Sequence, residues 1–528
     1  MDHQFHIPSV YNMADDIDRH AEDPGKTAIV WEDAKGRTGE VTYAELKERS
    51  DRLAQGFCQM GLTKGSKLFI LLPRGAETYV VYLAALKAGC IVMPGSEMLR
   101  SGDIAYRVKH AGAKAVVVFD GILDRVEEIR GECPSLEHVI VTGEKMPDSL
   151  HIDEVAALAQ NQPLPRTHSD DIAFISYTSG TTGGPKGVIH HHSWAIPHRE
   201  VAGKQWMGIG DGDRVWATAG PGWAKWVWSP FISTLALGAT AFVYAGKFDP
   251  EKYLSLMQKY DINVLCCTPT EYRMMAKVDR LDQYDLSSLR QAVSAGEPLN
   301  REVIDTFRRY FGVEVRDGYG QTENSLLIGT LAGMAIKPGS MGKPSPGNRV
   351  QIIDGEGRPV PPGTVGDIAV HRSAPTLFQG YYRDPERTKQ AFRGDWYVTG
   401  DQAKEDEDGY FWFEGRADDI ILSSGYTIGP FEVEDALVRH PAVRECAVVA
   451  SPDDVRGSVV KAFVVLKEPE DAGGDMVKML QDHVKQVTAP YKYPREIEFV
   501  PDLPKTASGK IRRVELRALE EERKLRGV

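Results

Sequence analysis

The stretch Tyr177-Thr178-Ser179-Gly180-Thr181-Thr182-Gly183-Gly184-Pro185-Lys186-Gly187, preceded by the apolar run Ile172 to Ser176, decides how the rest of the chain is read. The run is short and apolar, as a buried strand would be. The segment after it carries four glycines, four Ser/Thr hydroxyls and one lysine. Glycines let backbone N–H groups approach a polyphosphate, hydroxyls add hydrogen bonds, and Lys186 supplies a point charge. A Walker-type loop needs Gly before the lysine and Ser/Thr after it, where this chain has Pro185 and Gly187. The reading is an anion-wrapping loop outside the kinase and P-loop ATPase classes.

Outward from this loop the pattern is α/β. Lys67 to Leu72 and Ala115 to Phe119 read as strands, and Ala76 to Lys87 and Val126 to Arg130 as helices. Val264 to Cys267 and Gln291 to Ser294 continue the series. From Val350 to about Val370 the period becomes two, with turns at Asp354-Gly355 and Pro361-Pro362-Gly363, which predicts a small β-rich subdomain. After the charged turn Gly415-Arg416-Ala417-Asp418-Asp419 the sequence predicts a compact α+β unit with helices at Phe431 to Arg439 and Met476 to Val487 and strands at Ala447 to Ala450 and Ala462 to Leu466. The expected architecture is a large α/β N-terminal domain over 1–417 and a small mobile C-terminal domain over 418–528.

The bulk numbers narrow the function. A chain of 528 residues, 42% hydrophobic and 26% charged, is globular rather than disordered. Its formal charge of -12 excludes nonspecific nucleic-acid binding, which needs a clustered Lys/Arg excess. Met1 to Ala14 shows no basic region followed by an apolar run, and no stretch approaches the roughly 18 to 20 apolar residues of a membrane span. A cytoplasmic protein without integral membrane association is expected. Cys58, Cys90, Cys133, Cys266, Cys267 and Cys446 include no C-x-x-C pair, so reduced thiols are expected. His190-His191-His192 would alternate faces on a strand and cannot converge on one metal ion.

The glycine-rich segment resembles the phosphate loop of the adenylate-forming superfamily of acyl-CoA synthetases, peptide-synthetase adenylation domains and luciferases. Further motifs follow in that family's order: Ser294-Ala295-Gly296-Glu297-Pro298, Asp317-Gly318-Tyr319-Gly320-Gln321-Thr322-Glu323, Tyr397-Val398-Thr399-Gly400-Asp401, the hinge segment at Asp418, and Pro504-Lys505-Thr506-Ala507-Ser508-Gly509-Lys510. The resemblance implies ATP, Mg²⁺ and coenzyme A as reactants and cofactor, and a small-molecule carboxylic acid as substrate. It implies that Thr178 and Glu323 hold Mg²⁺, and that Ser179, Gly180, Thr181, Thr182, Gly183 and Lys186 surround the outer phosphates. Gly296, Glu297, Pro298, Asp317, Gly318, Tyr319, Gln321 and Thr322 are then the adenine-side residues. Asp401 would accept the ribose hydroxyls with Arg416 beside it.

Lys510 is expected at the carboxylate and α-phosphate during adenylation, and its amine is a candidate for regulation by a protein-acylating enzyme. Rotation about Asp418 would then exchange Lys510 for Ser423-Ser424-Gly425-Tyr426, with Gly425 and Tyr426 at the pantetheine tunnel. One departure stands out: relatives often read Gly-Tyr-Arg-Ile-Gly-Pro where this chain has Thr427, so the missing cation must come from elsewhere, with Arg456 and Lys461 as candidates.

For the acid, Trp223, Lys225, Trp226 and Trp228 fall where family members line the acyl pocket and gate thiol entry, and Cys266 resembles another wall residue. Gly320 occupies a position where acetate-specific relatives carry Trp, and is read as leaving volume for a tail. Acids of about four to eight carbons, straight or branched, are therefore expected over acetate. The alternatives are a stand-alone adenylation enzyme loading a carrier protein and a noncatalytic acyl-adenylate or nucleotide-binding regulator. The regulator would be expected to lack Lys510 or Glu323, and both are present.

Overall fold

A computed structural model describes residues 4–147, 149–178, 184–417, 419–423, 426–453, 457–488, 490–505 and 511–526. Ser179, Gly180, Thr181, Thr182, Gly183, Asp418, Gly425, Arg456 and Lys510 lie outside the described residues, as does the side chain of Tyr426.

Strand Lys67–Leu71 is buried at every position after its first. A run apolar on both faces needs cover on both sides, the condition of a parallel sheet clad in helices. Its sheet has seven strands in the order Leu150–His151, His138–Thr142, Ala115–Phe119, Lys67–Leu71, Ile91–Pro94, Ile172–Thr178 and Lys186–His191. All neighbours are parallel except the last pair. In a second, nine-stranded sheet, Val264–Cys267, Gln291–Ala295 and Val315–Gly320 run parallel side by side. The two-residue period after Val350 becomes a third, antiparallel sheet that includes Val350–Ile353, Gly366–His371, Trp396–Glu405 and Phe411–Arg416.

Local chemistry fixes helix starts. Thr42 caps helix Tyr43–Gln59: its hydroxyl accepts from the Glu45 N–H at 3.1 Å while Glu45 accepts from the Thr42 N–H at 2.8 Å. Thr268 and Glu271 repeat the device before helix Pro269–Ala276. Between the first two sheets, Trp226 packs against Tyr79, Tyr82 and Phe231 at centroid distances of 4.9, 4.6 and 5.4 Å.

The smaller C-terminal domain holds helix Pro430–Val438, the antiparallel pair Val443–Asp453 and Gly457–Leu466, helix Gly474–Val487, strand Glu496–Phe499 and helix Arg513–Arg526. It sits on the rim of the large domain: Lys277 Nζ donates to the Arg444 carbonyl at 3.0 Å and Asn300 Nδ2 to Asp435 Oδ1 at 3.0 Å. At the junction, the Ala417 N–H bonds the Gly400 carbonyl at 2.9 Å, while buried Asp419 pairs with Arg517 of the last helix. Among the described residues no helix is long and apolar enough to cross a membrane.

Candidate active site

Elements from all three sheets of the large domain converge near the carboxyl ends of parallel strands, where open α/β sheets bind ligands. The antiparallel register of Ile172–Thr178 and Lys186–His191 sets Thr178 opposite Lys186. Thr178 Oγ1 is buried with no hydrogen-bond partner among the described residues. Such a group costs free energy unless something satisfies it. Lys186 Nζ lies 2.7 Å from Oε1 of buried Glu323. Tyr381 completes a triangle: its hydroxyl donates to the same Glu323 oxygen at 2.9 Å and accepts from Lys186 at 2.8 Å.

A second cluster faces the other end. Asp401 Oδ2 accepts from Tyr319 Oη at 2.6 Å and from Gln321 Nε2 at 3.0 Å. Gln321 also donates to the Thr399 carbonyl at 2.9 Å and accepts from Tyr397 Oη at 3.1 Å. Arg416 is the cross-strand partner of Asp401. Asp317 takes the Gly318 N–H at 2.8 Å and the Leu299 N–H at 3.4 Å, and burial pushes its carboxyl up to about 7. Gly318 is needed beside the indole of Trp206, which a Cβ would approach to 2.5 Å. Gly296 has φ of +112°, a conformation that favours glycine. Its neighbour Glu297 is held by Thr270 Oγ1 at 3.0 Å and Arg273 at 3.2 Å, and Pro298 is half-buried in the same turn. Thr322 presents its carbonyl to His190 Nε2 at 2.6 Å, and burial pushes that ring down to about 4, so it stays neutral. His192 instead accepts the Met13 N–H at 3.2 Å, so the histidine run serves separate backbone partners.

Among the residues expected to line the acid, Lys225 Nζ lies 4.8 Å from the Trp206 ring centroid, and its charge opposes the rise at Asp317. Cys266 is buried with Sγ 4.0 Å from Ser229 Oγ. Trp228 is half-buried, whereas Trp223 is 41% exposed. Behind them stand two π-helical segments, Arg199–Met207 and Val227–Ser233. This rare helix form recurs at functional sites. His198, next to the first, bonds both the Trp228 carbonyl (2.9 Å) and Ser233 Oγ (3.0 Å) through Nε2, and Ser325 Oγ through Nδ1 at 2.5 Å. A carbonyl only accepts, so Nε2 carries the proton and Nδ1 accepts from Ser325; burial pushes the ring down to about 3.

Two expectations are corrected. Gly320 does not open volume toward a tail along its Cβ direction: a Cβ there would stand 1.6 Å from the Ser325 carbonyl oxygen, beside a bulge between Val315–Gly320 and Leu326–Gly329. Its glycine answers to that backbone approach. Lys461 is not free to replace the missing cation, because its buried ammonium is spent on Glu520 at 2.6 Å and Glu498 at 3.0 Å. Sequence reasoning also missed Tyr381 and His198. Tyr381 lies 58 positions from Glu323, and no local spacing announces such a pairing.

The architecture is that of the adenylate-forming enzymes. The family model described as AMP-binding enzyme matches residues 17–382, and that described as AMP-binding enzyme C-terminal domain matches 432–510. The chain belongs to the AMP-binding enzyme family and is an acyl-CoA ligase. It is 55% identical over 520 residues to a Bacillus subtilis (strain 168) protein named uncharacterized acyl-CoA ligase YtcI, covering 98% of this chain and 97% of that one. It is 40% identical over 535 residues to the mitochondrial acyl-coenzyme A synthetase ACSM3 of Rattus norvegicus, covering 98% and 92%. Among solved structures, the anthranilate CoA ligase AuaEII in complex with anthranoyl-AMP superposes with a TM-score of 0.90 at 32% identity, covering 98% of each chain. A benzoate CoA ligase from Burkholderia xenovorans LB400 gives 0.84 at 31%, covering 96% and 100%.

Proposed function

We propose that this ligase works in two half-reactions through an acyl-AMP, on acids of about four to eight carbons, a range supported, once Gly320 is assigned to the backbone, by the half-buried Trp228 and buried Cys266. In the first, the acid's carboxylate oxygen attacks the α-phosphorus of ATP and pyrophosphate leaves, giving a mixed anhydride. In the second, the thiol of coenzyme A attacks the acyl carbonyl and AMP leaves. The observation that carries this reading is the pair of polar clusters, a cation with a carboxylate at one end and Asp401 at the other, spanned by Tyr319, Gln321 and Tyr397.

Each group has a task in the first step. Asp401 accepts the ribose hydroxyls, Tyr319 presents its ring to adenine, and Lys186 offsets the charge that keeps two anions apart. Thr178 and Glu323 would hold Mg²⁺, which when bound supplies further neutralisation of the outer phosphates. The orphaned Thr178 hydroxyl fits that role.

Lys510 reaches the reacting carboxylate in this reading. Its support is the position of Arg513, whose charge interacts with Glu297 on the site rim while its guanidinium bonds Glu434 at 2.7 Å. The mobile body is 418–528, turning about Asp418: Ala417 is tied to the large domain and Asp419 to the last helix. The acid's tail lies among Trp206, Trp228 and Cys266.

The test is a ligation screen with free coenzyme A across straight, branched and aromatic acids from two to about twelve carbons, reading AMP release. Greatest kcat/KM between four and eight carbons supports the assignment. Turnover only with an acyl carrier protein would replace coenzyme A as the acceptor.

A further inference from the structure

In the described site, Lys186 and Glu323 neutralise each other. The proposed function needs them apart, with the ammonium on phosphate and the carboxylate on a cation. Separation leaves Glu323, a buried carboxylate, in need of a partner that does not compete with a metal for its charge. Tyr381 meets that need. Its hydroxyl already donates to Glu323 Oε1 at 2.9 Å, the oxygen that Lys186 also contacts, and its ring lies under the ammonium at 4.4 Å.

The backbone fixes this tyrosine in place. Tyr381 is bridged antiparallel to Val188, and its N–H bonds Thr388 Oγ1 at 2.9 Å. Gly380 before it has φ of +131°, where a Cβ would meet Thr388 at 3.2 Å. The ring packs on Phe378 with centroids 4.9 Å apart. Beyond it, Tyr397 Oη donates to Gln321, which continues to Asp401.

Resting on the roles proposed above for Lys186 and Glu323, we propose that Tyr381 is a positioning residue: it holds the Glu323 carboxylate in place for Mg²⁺ when Lys186 releases it to nucleotide phosphate. Without the hydroxyl, Glu323 keeps only Lys186 as its side-chain partner among the described residues, and the ion pair competes with Mg²⁺ and ATP together.

The experiment is equilibrium binding of ATP to the full chain by calorimetry, without acid, in Mg²⁺ and in a chelator. Tyr381→Phe keeps the ring and its packing. It should weaken Mg²⁺-supported ATP binding by about tenfold, leave binding in chelator within about twofold, and shift the Mg²⁺ midpoint upward. The KM for MgATP should rise without a change in transfer from supplied acyl-AMP to coenzyme A. Parental Mg²⁺ dependence, or equal weakening with and without the metal, overturns the assignment. Glu323→Gln separates the levels. If it abolishes Mg²⁺ dependence while Tyr381→Phe is parental, only the Tyr381 role falls; if Glu323→Gln is itself parental, the reading of the metal site falls and takes this inference with it.

Discussion

On the nucleotide side of the site, Asp401, Tyr319, Gln321 and Tyr397 satisfy one another through hydrogen bonds of 2.6 to 3.1 Å. On the proposed acyl side, the Trp228 ring lies 6.0 Å from that of buried Trp194, and His198 holds the Trp228 carbonyl. The two walls should fail differently. Truncating a member of a hydrogen-bonded wall strands its partners in a buried place, whereas truncating a ring removes contact in proportion to area. Changes on the first side should therefore be steep and blind to the acid, and on the second graded and dependent on it.

The largest effect is expected at Lys510. Lys510→Ala should lose adenylate formation by several orders of magnitude while transfer from supplied acyl-AMP stays within about tenfold, measured as separate half-reactions. Equal loss of both would remove it from the first step. Next, Asp401→Ala leaves Tyr319 and Gln321 without their shared acceptor. Its cost of about 2 to 3 kcal/mol should appear as a roughly 30- to 150-fold rise in the KM for ATP, the same for every acid tested. An acid-dependent change would erase the division between the walls.

Gly320→Ala tests whether that position belongs to the backbone or the pocket. A Cβ 1.6 Å from the Ser325 carbonyl must displace it, so stability should fall by about 3 kcal/mol or more, read in denaturant unfolding, with hexanoate and acetate activities falling together. A changed ratio at unchanged stability would return Gly320 to the acyl wall. Trp228→Ala should act by degree, raising kcat/KM for an acid longer than about eight carbons relative to hexanoate by about tenfold with the ATP KM unaltered.

The smallest effect concerns Asp317. Burial raises its carboxyl to about 7 in the fold against an ordinary value of 3.8. The folded state therefore resists the charged form, and the penalty is absent below about pH 4, grows between 4 and 7, and is complete above. Asp317→Asn should stabilise the ligand-free protein by about 1 to 2 kcal/mol near pH 8, with the gap closing below about pH 4. A gap that widens in acid would refute the buried-carboxylate account.

The contrast also explains what could be read from residues alone. ATP imposes fixed demands, and Lys186, Glu323, Tyr319 and Asp401 stand in compact motifs; the structure brings them into the two clusters described above. Strands Ala115–Phe119 and Val264–Cys267 were equally legible as short apolar runs, and helix Ala76–Lys87, buried on nearly every face, as an apolar run too long for one strand. The pocket wall was not. Trp226, expected with its neighbours at the acyl pocket, packs instead on Tyr79 and Tyr82 in the core, while Trp206 and His198, outside that stretch, stand beside Lys225 and Trp228. Tertiary packing assigns a ring to core or cavity, and local spacing does not record it. Gly320 shows the same limit: a missing side chain leaves no sign of whether it makes room for a ligand or for a carbonyl.

The bonds of His198 have a practical side for anyone redesigning which acids this enzyme accepts. One ring, fixed in one tautomer, ties the Trp228 carbonyl and Ser233 to Ser325, two positions beyond Glu323. A library that varies the tryptophans alone keeps that fastening and explores only changes of width. Reshaping the path of Val227–Ser233 requires His198, Ser233 and Ser325 to vary as one block, since any of them altered singly strands the others' hydrogen bonds inside the protein.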